Sequence, residues 1–88
     1  MTWKLIFSRS AQRNLRTFPL SDRRRSDRAL DQLVIEPLRG DIRPLRNQPA
    51  EFRLRVGDYR VFFDLERVQR QVRVHDIVRR TTKTYRRR

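Results

Sequence analysis

Apolar and polar side chains alternate along FRLRVGDYRVFFDL, residues 52–65, with the period of two that is typical of β-strands. The alternation is interrupted at 57–58, where a glycine can supply the positive φ that a type II′ turn needs at its first central position. The pattern therefore predicts a β-hairpin. Its turn fixes the register and places Arg55 directly opposite Arg60, with Arg53 one pair further along on the same face.

The segments before the hairpin predict one strand and two helices. Alternation over residues 3–8 predicts the strand. Either Ser8 or Ser10 can cap a short first helix, which Pro19 ends. Ser21 is the predicted N-cap of a longer second helix that carries an apolar stripe on one side.

The segments on either side of the hairpin predict a loop and a last strand. The loop runs from Pro37 through Pro49, where proline and glycine interrupt the helical pattern. A turn near 66–71 then leads to a strand over residues 72–78.

The predicted order of elements is β-α-α-β-β-β, which indicates an α+β fold. The two N-terminal helices would pack on one face of a small, mainly antiparallel, four-stranded twisted sheet and leave the arginine side outside. The 88 residues leave room for one small domain, residues 1–88, whose basic C-terminal tail covers residues 79–88.

The composition adds a strong positive charge to this picture. The formal net charge is +13, from 23 Lys and Arg against 10 Asp and Glu. Such a balance favours an anionic partner, which can be a nucleic acid, a membrane surface or an acidic protein.

Other classes of function are excluded by what the sequence lacks. It has no cysteine, which excludes disulfides and thiolate metal sites, and its single histidine excludes a site built from several histidines. We expect no metal and no cofactor. No apolar run approaches the roughly 20 residues of a transmembrane helix, and no signal-peptide pattern is present, so we expect a cytoplasmic protein that does not bind membranes.

The arginines of the hairpin suggest what the anionic partner meets. Arg53, Arg55 and Arg60 share one face, where like charges on neighbouring strands normally repel each other and destabilise the sheet. Guanidinium groups suit phosphate because their donors form a planar fork. We therefore favour a phosphate-binding surface over the alternative, a solvated face on which arginine is merely common.

Four segments together resemble a known family. They are FSRSAQRNL at the first helix, EPLRGDIRPL in the loop, FRLRVGDYRVFF at the hairpin and VHDIVRRTTKTY at the last strand. The sequence resembles toxins of the RelE/ParE superfamily, the toxin half of bacterial type II toxin–antitoxin pairs, over nearly its whole length. The resemblance implies a RelE-like fold, and the loop and the hairpin are its most specific parts.

The resemblance implies two different activities, between which the fold does not decide. The favoured RelE-like branch cleaves messenger RNA in the ribosome without a metal, by attack of a ribose 2′-OH on the adjacent phosphate. The ParE-like branch inhibits DNA gyrase. Both imply an acidic cognate antitoxin as partner, and a third possibility is an RNA-binding domain without catalysis. The expected partners are therefore the antitoxin and either mRNA with the ribosome or DNA gyrase.

The RelE-like resemblance also implies site residues. The implied catalytic residues are Arg55, Arg60, either Arg79 or Arg80, and Tyr85, and the implied RNA-binding residues are Arg53, Arg55, Arg60 and Lys83.

One departure from the RelE-like pattern leaves the general base unassigned. RelE-like enzymes have lysine where this sequence has Arg53 and Arg55, and arginine does not lose its proton in proteins. His75, Lys83 and Tyr85 are the candidates for proton transfer. Strict alternation along the last strand would place His75 on one face with Arg73, Ile77 and Arg79, and the sequence does not reveal whether that is the arginine face.

Overall fold

Two helices and five strands form the part of the chain that the computed structural model describes, residues 2–79. In chain order they are β1 (Lys4–Phe7), α1 (Arg9–Arg16), α2 (Leu20–Ile35), β2 (Ile42–Pro44), β3 (Phe52–Val56), β4 (Tyr59–Glu66) and β5 (Gln71–Arg79). No helix within residues 2–79 is long and apolar enough to cross a membrane.

The sheet has five strands in the order β1-β5-β4-β3-β2, and not the four that the sequence predicted. The additional strand, β2, lies in the predicted loop and pairs antiparallel with β3. It is three residues long and contains Pro44, which an edge strand tolerates. The sheet is mixed, because β1 pairs parallel with β5 while the other three pairings are antiparallel. The two helices supply the crossover that this parallel pairing requires.

The helix starts follow two different capping arrangements. Ser8 is the cap of α1, since its Oγ accepts a hydrogen bond from the backbone N–H of Ala11 at 3.0 Å. The predicted cap of α2 is wrong: Pro19 occupies the N-cap position, and Ser21 already lies in the first turn. The carbonyl of Pro19 accepts the N–H of Arg23 at 2.9 Å, so the helix begins without a side-chain cap.

The core lies between the helices and one face of the sheet. It is formed by Ala11, Leu30, Leu33, Leu54, Val56, Val61, Phe63, Leu65, Val72, Val74 and Ile77. Burial alternates along β4, so that Tyr59, Val61 and Phe63 face the helices while Arg60 and Phe62 face outward. The predicted hairpin is confirmed: Arg55 pairs with Arg60, and Gly57 alone of the two turn residues has a positive φ, +58°.

A β-bulge in β5 changes which residues face outward. Phe62 pairs with Asp76 and Phe63 with Val74, which leaves His75 as an extra residue without a partner on β4. Val74 and Ile77 are both buried although they are three positions apart, an odd spacing that strict alternation would put on opposite sides. The grouping of His75 with Ile77 is therefore wrong, because Ile77 belongs to the core and His75 is exposed.

Tyr59 joins the hairpin to α2 and to the segment between the two helices. Its ring packs against Phe18, with the ring centroids 4.1 Å apart, and its hydroxyl donates a hydrogen bond of 2.8 Å to Oδ2 of Asp22. Burial raises the pKa of the Tyr59 phenol above its ordinary value, and the hydrogen bond to Asp22 raises it further. The folded state therefore holds the phenolic proton more tightly than the unfolded state does.

We expect Tyr59→Phe to lower the free energy of unfolding by about 1–3 kcal/mol at neutral pH, because the Asp22 carboxylate loses its donor. A raised pKa stabilises the fold fully below the ordinary phenol pKa of about 10, and this stabilisation is lost as the pH rises above that value. Urea unfolding at neutral and alkaline pH measures both effects. The wild-type protein should lose more stability above about pH 10 than Tyr59→Phe does; equal losses in the two proteins would contradict this role.

Candidate functional site

Four arginines line the outward side of three neighbouring strands. We call this surface the arginine face; it comprises Arg43 of β2, Arg53 and Arg55 of β3, and Arg60 of β4. The register places Arg43 opposite Arg53 and Arg55 opposite Arg60, so that two pairs of like charges lie side by side. Arg43 was not predicted from the sequence, because its strand has only three residues and shows too little alternation to be recognised.

The arginine face is poorly neutralised by the protein itself. Its one ion pair within residues 2–79 joins Arg53 to Asp41, with 3.8 Å between Nη2 and Oδ1. Arg55 and Arg60 have no ion-pair partner in this part of the chain. The side chain of Arg53 is only 16% exposed, and its buried Nε has no hydrogen-bond partner among the described residues. Arg55 and Arg60 therefore present uncompensated guanidinium donors that suit an anion.

The structure does not bring Arg79 to the arginine face. Arg79 pairs with Tyr59, whose side chain is buried on the helix side of the sheet. The guanidinium carbon of Arg79 accordingly lies 6.0 Å from the centroid of the Tyr59 ring. Of the other residues assigned to the site, Arg80, Lys83 and Tyr85 lie outside the described residues.

His75 and Asp64 form a hydrogen-bonded pair on the same side of the sheet as the arginine face. Nε2 of His75 lies 2.6 Å from Oδ2 of Asp64, and the side chains are 43% and 29% exposed. The other carboxylate oxygen, Oδ1, accepts the backbone N–H of Glu51 at 2.7 Å. Both oxygens of Asp64 are thus engaged, which fixes the carboxylate and, through it, the imidazole.

A cleft of about 320 Å³ opens beside this pair. Its walls are Gln48, Pro49, Ala50, Phe62, His75 and Asp76. The carboxylate of Asp76 is turned toward α1, where Oδ1 accepts hydrogen bonds from Ser10 at 3.2 Å and from Asn14 at 2.8 Å. The cleft therefore combines apolar surface with one imidazole that is open to solvent.

The described residues offer no obvious metal centre. Within residues 2–79 no three His, Asp or Glu side chains lie close enough together to hold a metal ion. The chemical groups that this surface offers are guanidinium donors, one imidazole and an aromatic ring.

Comparison with known proteins finds solved structures of similar fold, whereas no protein-family model and no curated protein sequence matches. A chain of the archaeal RelE–RelB complex from Pyrococcus horikoshii superposes with a TM-score of 0.80 at 23% identity, covering 93% of this chain and 99% of that chain. A chain of the toxin–antitoxin complex RelBE2 from Mycobacterium tuberculosis gives 0.79 at 26% identity, with coverages of 91% and 100%. The isolated RelE toxin of Escherichia coli gives 0.78 at 17% identity, with coverages of 94% and 90%. The resemblance seen in the sequence is confirmed.

Proposed function

We propose that this chain, whose fold is similar to that of RelE toxins, is the toxin of a type II toxin–antitoxin pair and that it cleaves messenger RNA without a metal. The observation that carries the proposal is the arginine face, on which Arg55 lies opposite Arg60 and neither has an acidic partner within residues 2–79. Like charges in this position destabilise a sheet unless an anion lies on them. A chain of phosphates is such an anion.

The proposed reaction is a transesterification within the RNA. The 2′-oxygen of one ribose attacks the adjacent phosphorus, an O2′–P bond forms, and the P–O5′ bond breaks. Negative charge increases on the phosphate oxygens in the transition state, and fixed guanidinium donors stabilise it there. Arg53, held by packing, would orient the phosphate, while Arg55 and Arg60 would contact the oxygens that gain charge.

The ribosome is the proposed setting for this reaction. Arginines that contact phosphates position an RNA but do not read its sequence. The arginine face lies on the outward side of three neighbouring strands and is an open sheet surface. A ribosome would present a single extended mRNA segment to it, which supplies the positioning that this small domain lacks.

The proposed protein partner is an acidic antitoxin. The P. horikoshii neighbour comes from a RelE–RelB complex, and the M. tuberculosis neighbour comes from a toxin–antitoxin complex. The net charge of +13 on the present chain makes an acidic segment the complementary partner. Such a segment would compete with RNA if it neutralised the arginine face.

Mapping of mRNA 5′ ends tests the proposed activity. We expect induction of the wild-type protein in growing cells to produce new 5′ ends within translated codons. Arg60→Ala should reduce them by about 10²-fold or more, since it removes a donor to the transition state. Arg67→Ala is the matched control, because Arg67 is exposed in the turn after β4, away from the arginine face. Equal cleavage by a folded Arg60→Ala protein would contradict the assignment of this residue.

A gyrase inhibitor is the second candidate, because one observation favours it. The positions of Arg53 and Arg55 carry residues that do not accept a proton, and a protein that only binds gyrase needs no proton transfer. DNA breaks in a gyrase assay, with mRNA left intact, would select this candidate. RNA binding that depends on salt, without cleavage and without gyrase inhibition, would instead identify an RNA-binding domain.

A further inference from the structure

We propose that His75 is the general base of the cleavage reaction and that Asp64 is the positioning residue that orients its imidazole. This inference rests on the proposed endoribonuclease function. It assigns the proton-transfer role that the arginine face does not provide.

The reaction needs a group that can accept the proton of the attacking 2′-OH. The guanidinium groups of the arginine face stay protonated and cannot do so. Imidazole is the side chain whose ordinary titration lies closest to neutral pH, and His75 is the single histidine of the chain.

The bulge in β5 places His75 on the correct side of the sheet. Asp64 pairs with Arg73 across β4 and β5, and both face outward with Phe62 and Arg60. The extra residue in β5 adds His75 to this outward side, while Ile77 returns to the core. Without the bulge, strict alternation would place His75 and Ile77 on the same side of the sheet.

The hydrogen bonds around Asp64 select one tautomer of the imidazole. The carboxylate accepts at Oδ1 from the N–H of Glu51 and at Oδ2 from Nε2 of His75. A carboxylate oxygen requires a donor, so Nε2 carries the hydrogen and Nδ1 keeps its lone pair. No hydrogen bond within residues 2–79 occupies that nitrogen. The arrangement is that of a base oriented by a third group.

The distances across the sheet suit one dinucleotide. Neighbouring strands lie about 4.8 Å apart, so β5 and β3 are separated by about 10 Å. Phe62 lies on β4 between them, opposite Arg53, and Arg60 is two residues before it on the same face, so that a phosphate above Phe62 would lie near both arginines. The cleft beside His75 has Pro49, Ala50 and Phe62 as apolar walls, which suit an unstacked nucleobase.

The step transfers one proton to His75 and one proton from solvent to the leaving oxygen. Nδ1 of His75 takes the proton of the 2′-OH as the O2′–P bond forms. The P–O5′ bond breaks, and the O5′ oxygen receives a proton from a solvent water. The products are a 2′,3′-cyclic phosphate and a 5′-OH, and the imidazolium returns its proton to solvent.

The charged groups near His75 come from two strands and the loop before β3. Asp64 lies on β4, Arg73 and Asp76 lie on β5, and Glu51 precedes β3. Arg73 donates through Nε to Gln71 at 3.3 Å, and Glu51 accepts the N–H of Leu65 at 3.0 Å. Among these acidic groups only Asp64 has a hydrogen bond to the imidazole within residues 2–79.

Single-turnover cleavage of mRNA on programmed ribosomes, measured between about pH 5 and pH 8, tests the proposal. The wild-type rate should rise with pH as imidazole loses its proton. His75→Gln should lower the rate by about 10²–10⁴-fold and abolish this rise. Arg67→Gln is the control, since Arg67 is exposed in the turn after β4, outside the charged groups near His75, and this variant should keep the wild-type pH profile.

Asp64→Asn tests whether Asp64 orients the imidazole of His75 or only stabilises the fold. Its amide can still accept from the N–H of Glu51, but the NH₂ group then donates to Nε2 of His75 and places the hydrogen on Nδ1. For Asp64→Asn we expect a rate loss similar to that of His75→Gln, with the free energy of unfolding nearly unchanged. Asp64→Ala should cleave faster than Asp64→Asn, because its imidazole is not held in the wrong tautomer.

The outcomes distinguish the two proposals. If the wild-type protein cleaves no RNA, the proposed function fails and this inference fails with it. If the wild-type protein cleaves and folded His75→Gln keeps both rate and pH profile, only the assignment of His75 is overturned. Products that end in a 2′,3′-cyclic phosphate, together with loss of the pH dependence in His75→Gln, would support it.

Discussion

Phe63→Ala is expected to lower the free energy of unfolding by about 3–5 kcal/mol, the range for removal of a buried phenylalanine. Phe63 has no solvent exposure, and its ring stacks on Phe52 with 5.5 Å between the centroids. The substitution removes this contact and leaves a cavity at the centre of β4. Because a domain of this size has a net stability of only about 5–15 kcal/mol, much of the fold could be lost.

The neighbouring phenylalanine is the matched control. Phe62 differs from Phe63 in facing outward, where it is half-buried beside the cleft. Phe62→Ala should therefore cost about 1 kcal/mol. Urea unfolding followed by circular dichroism measures both variants, and Phe63→Leu provides a smaller change if Phe63→Ala does not fold. Equal losses for Phe62→Ala and Phe63→Ala would contradict the assignment of the two faces.

The hairpin could be predicted from the sequence because two local signals agree there. The period of two placed Arg53, Arg55 and Arg60 on one face, and the glycine at 57 fixed the register. Both signals depend only on neighbouring residues. Such patterns also predicted the order of the two helices and of the later strands β3, β4 and β5, and this order is confirmed.

The remaining features depend on contacts between distant segments. β2 is too short to show a period, and its pairing with β3 is decided by the edge that β3 offers. The bulge at His75 is visible only as a change of spacing between Val74 and Ile77, both of which are buried. For this reason strict alternation wrongly grouped Ile77 and Arg79 with His75, and it could not show the hydrogen bond from His75 to Asp64 on another strand.

The site residues likewise divide into those that the local sequence could place and those that depend on contacts between distant segments. Arg53, Arg55 and Arg60 could be placed together because one hairpin carries them, whereas Arg43 joins them only through the pairing of β2 with β3. Arg79 shares a strand with His75 but faces the helices beside Tyr59. A tight group of basic residues in the sequence is therefore a better guide to this surface than the position of a residue along the last strand.

Arg55 and Arg60, the paired arginines of the arginine face, should destabilise the fold and promote the reaction. Arg55 and Arg60 are direct cross-strand partners of like charge, with no acidic side chain paired to either within residues 2–79. Such pairs lower stability by a few tenths of a kcal/mol to about 1 kcal/mol. If phosphate binding is their role, stability and activity should change in opposite directions when both charges are removed.

We expect replacement of both Arg55 and Arg60 by glutamine to reduce RNA cleavage by about 10³-fold while the free energy of unfolding stays equal or rises by about 0.2–1 kcal/mol. Single-turnover cleavage and urea unfolding of the same preparations give the two values. The control is replacement of Arg24 and Arg28 by glutamine, since these exposed residues lie one turn apart on α2 and their loss changes the net charge equally. This control should retain cleavage. If the control lost as much activity as the Arg55 and Arg60 variant, total charge and not the arginine face would govern the reaction. A large loss of stability in the Arg55 and Arg60 variant alone would mean that these side chains support the fold.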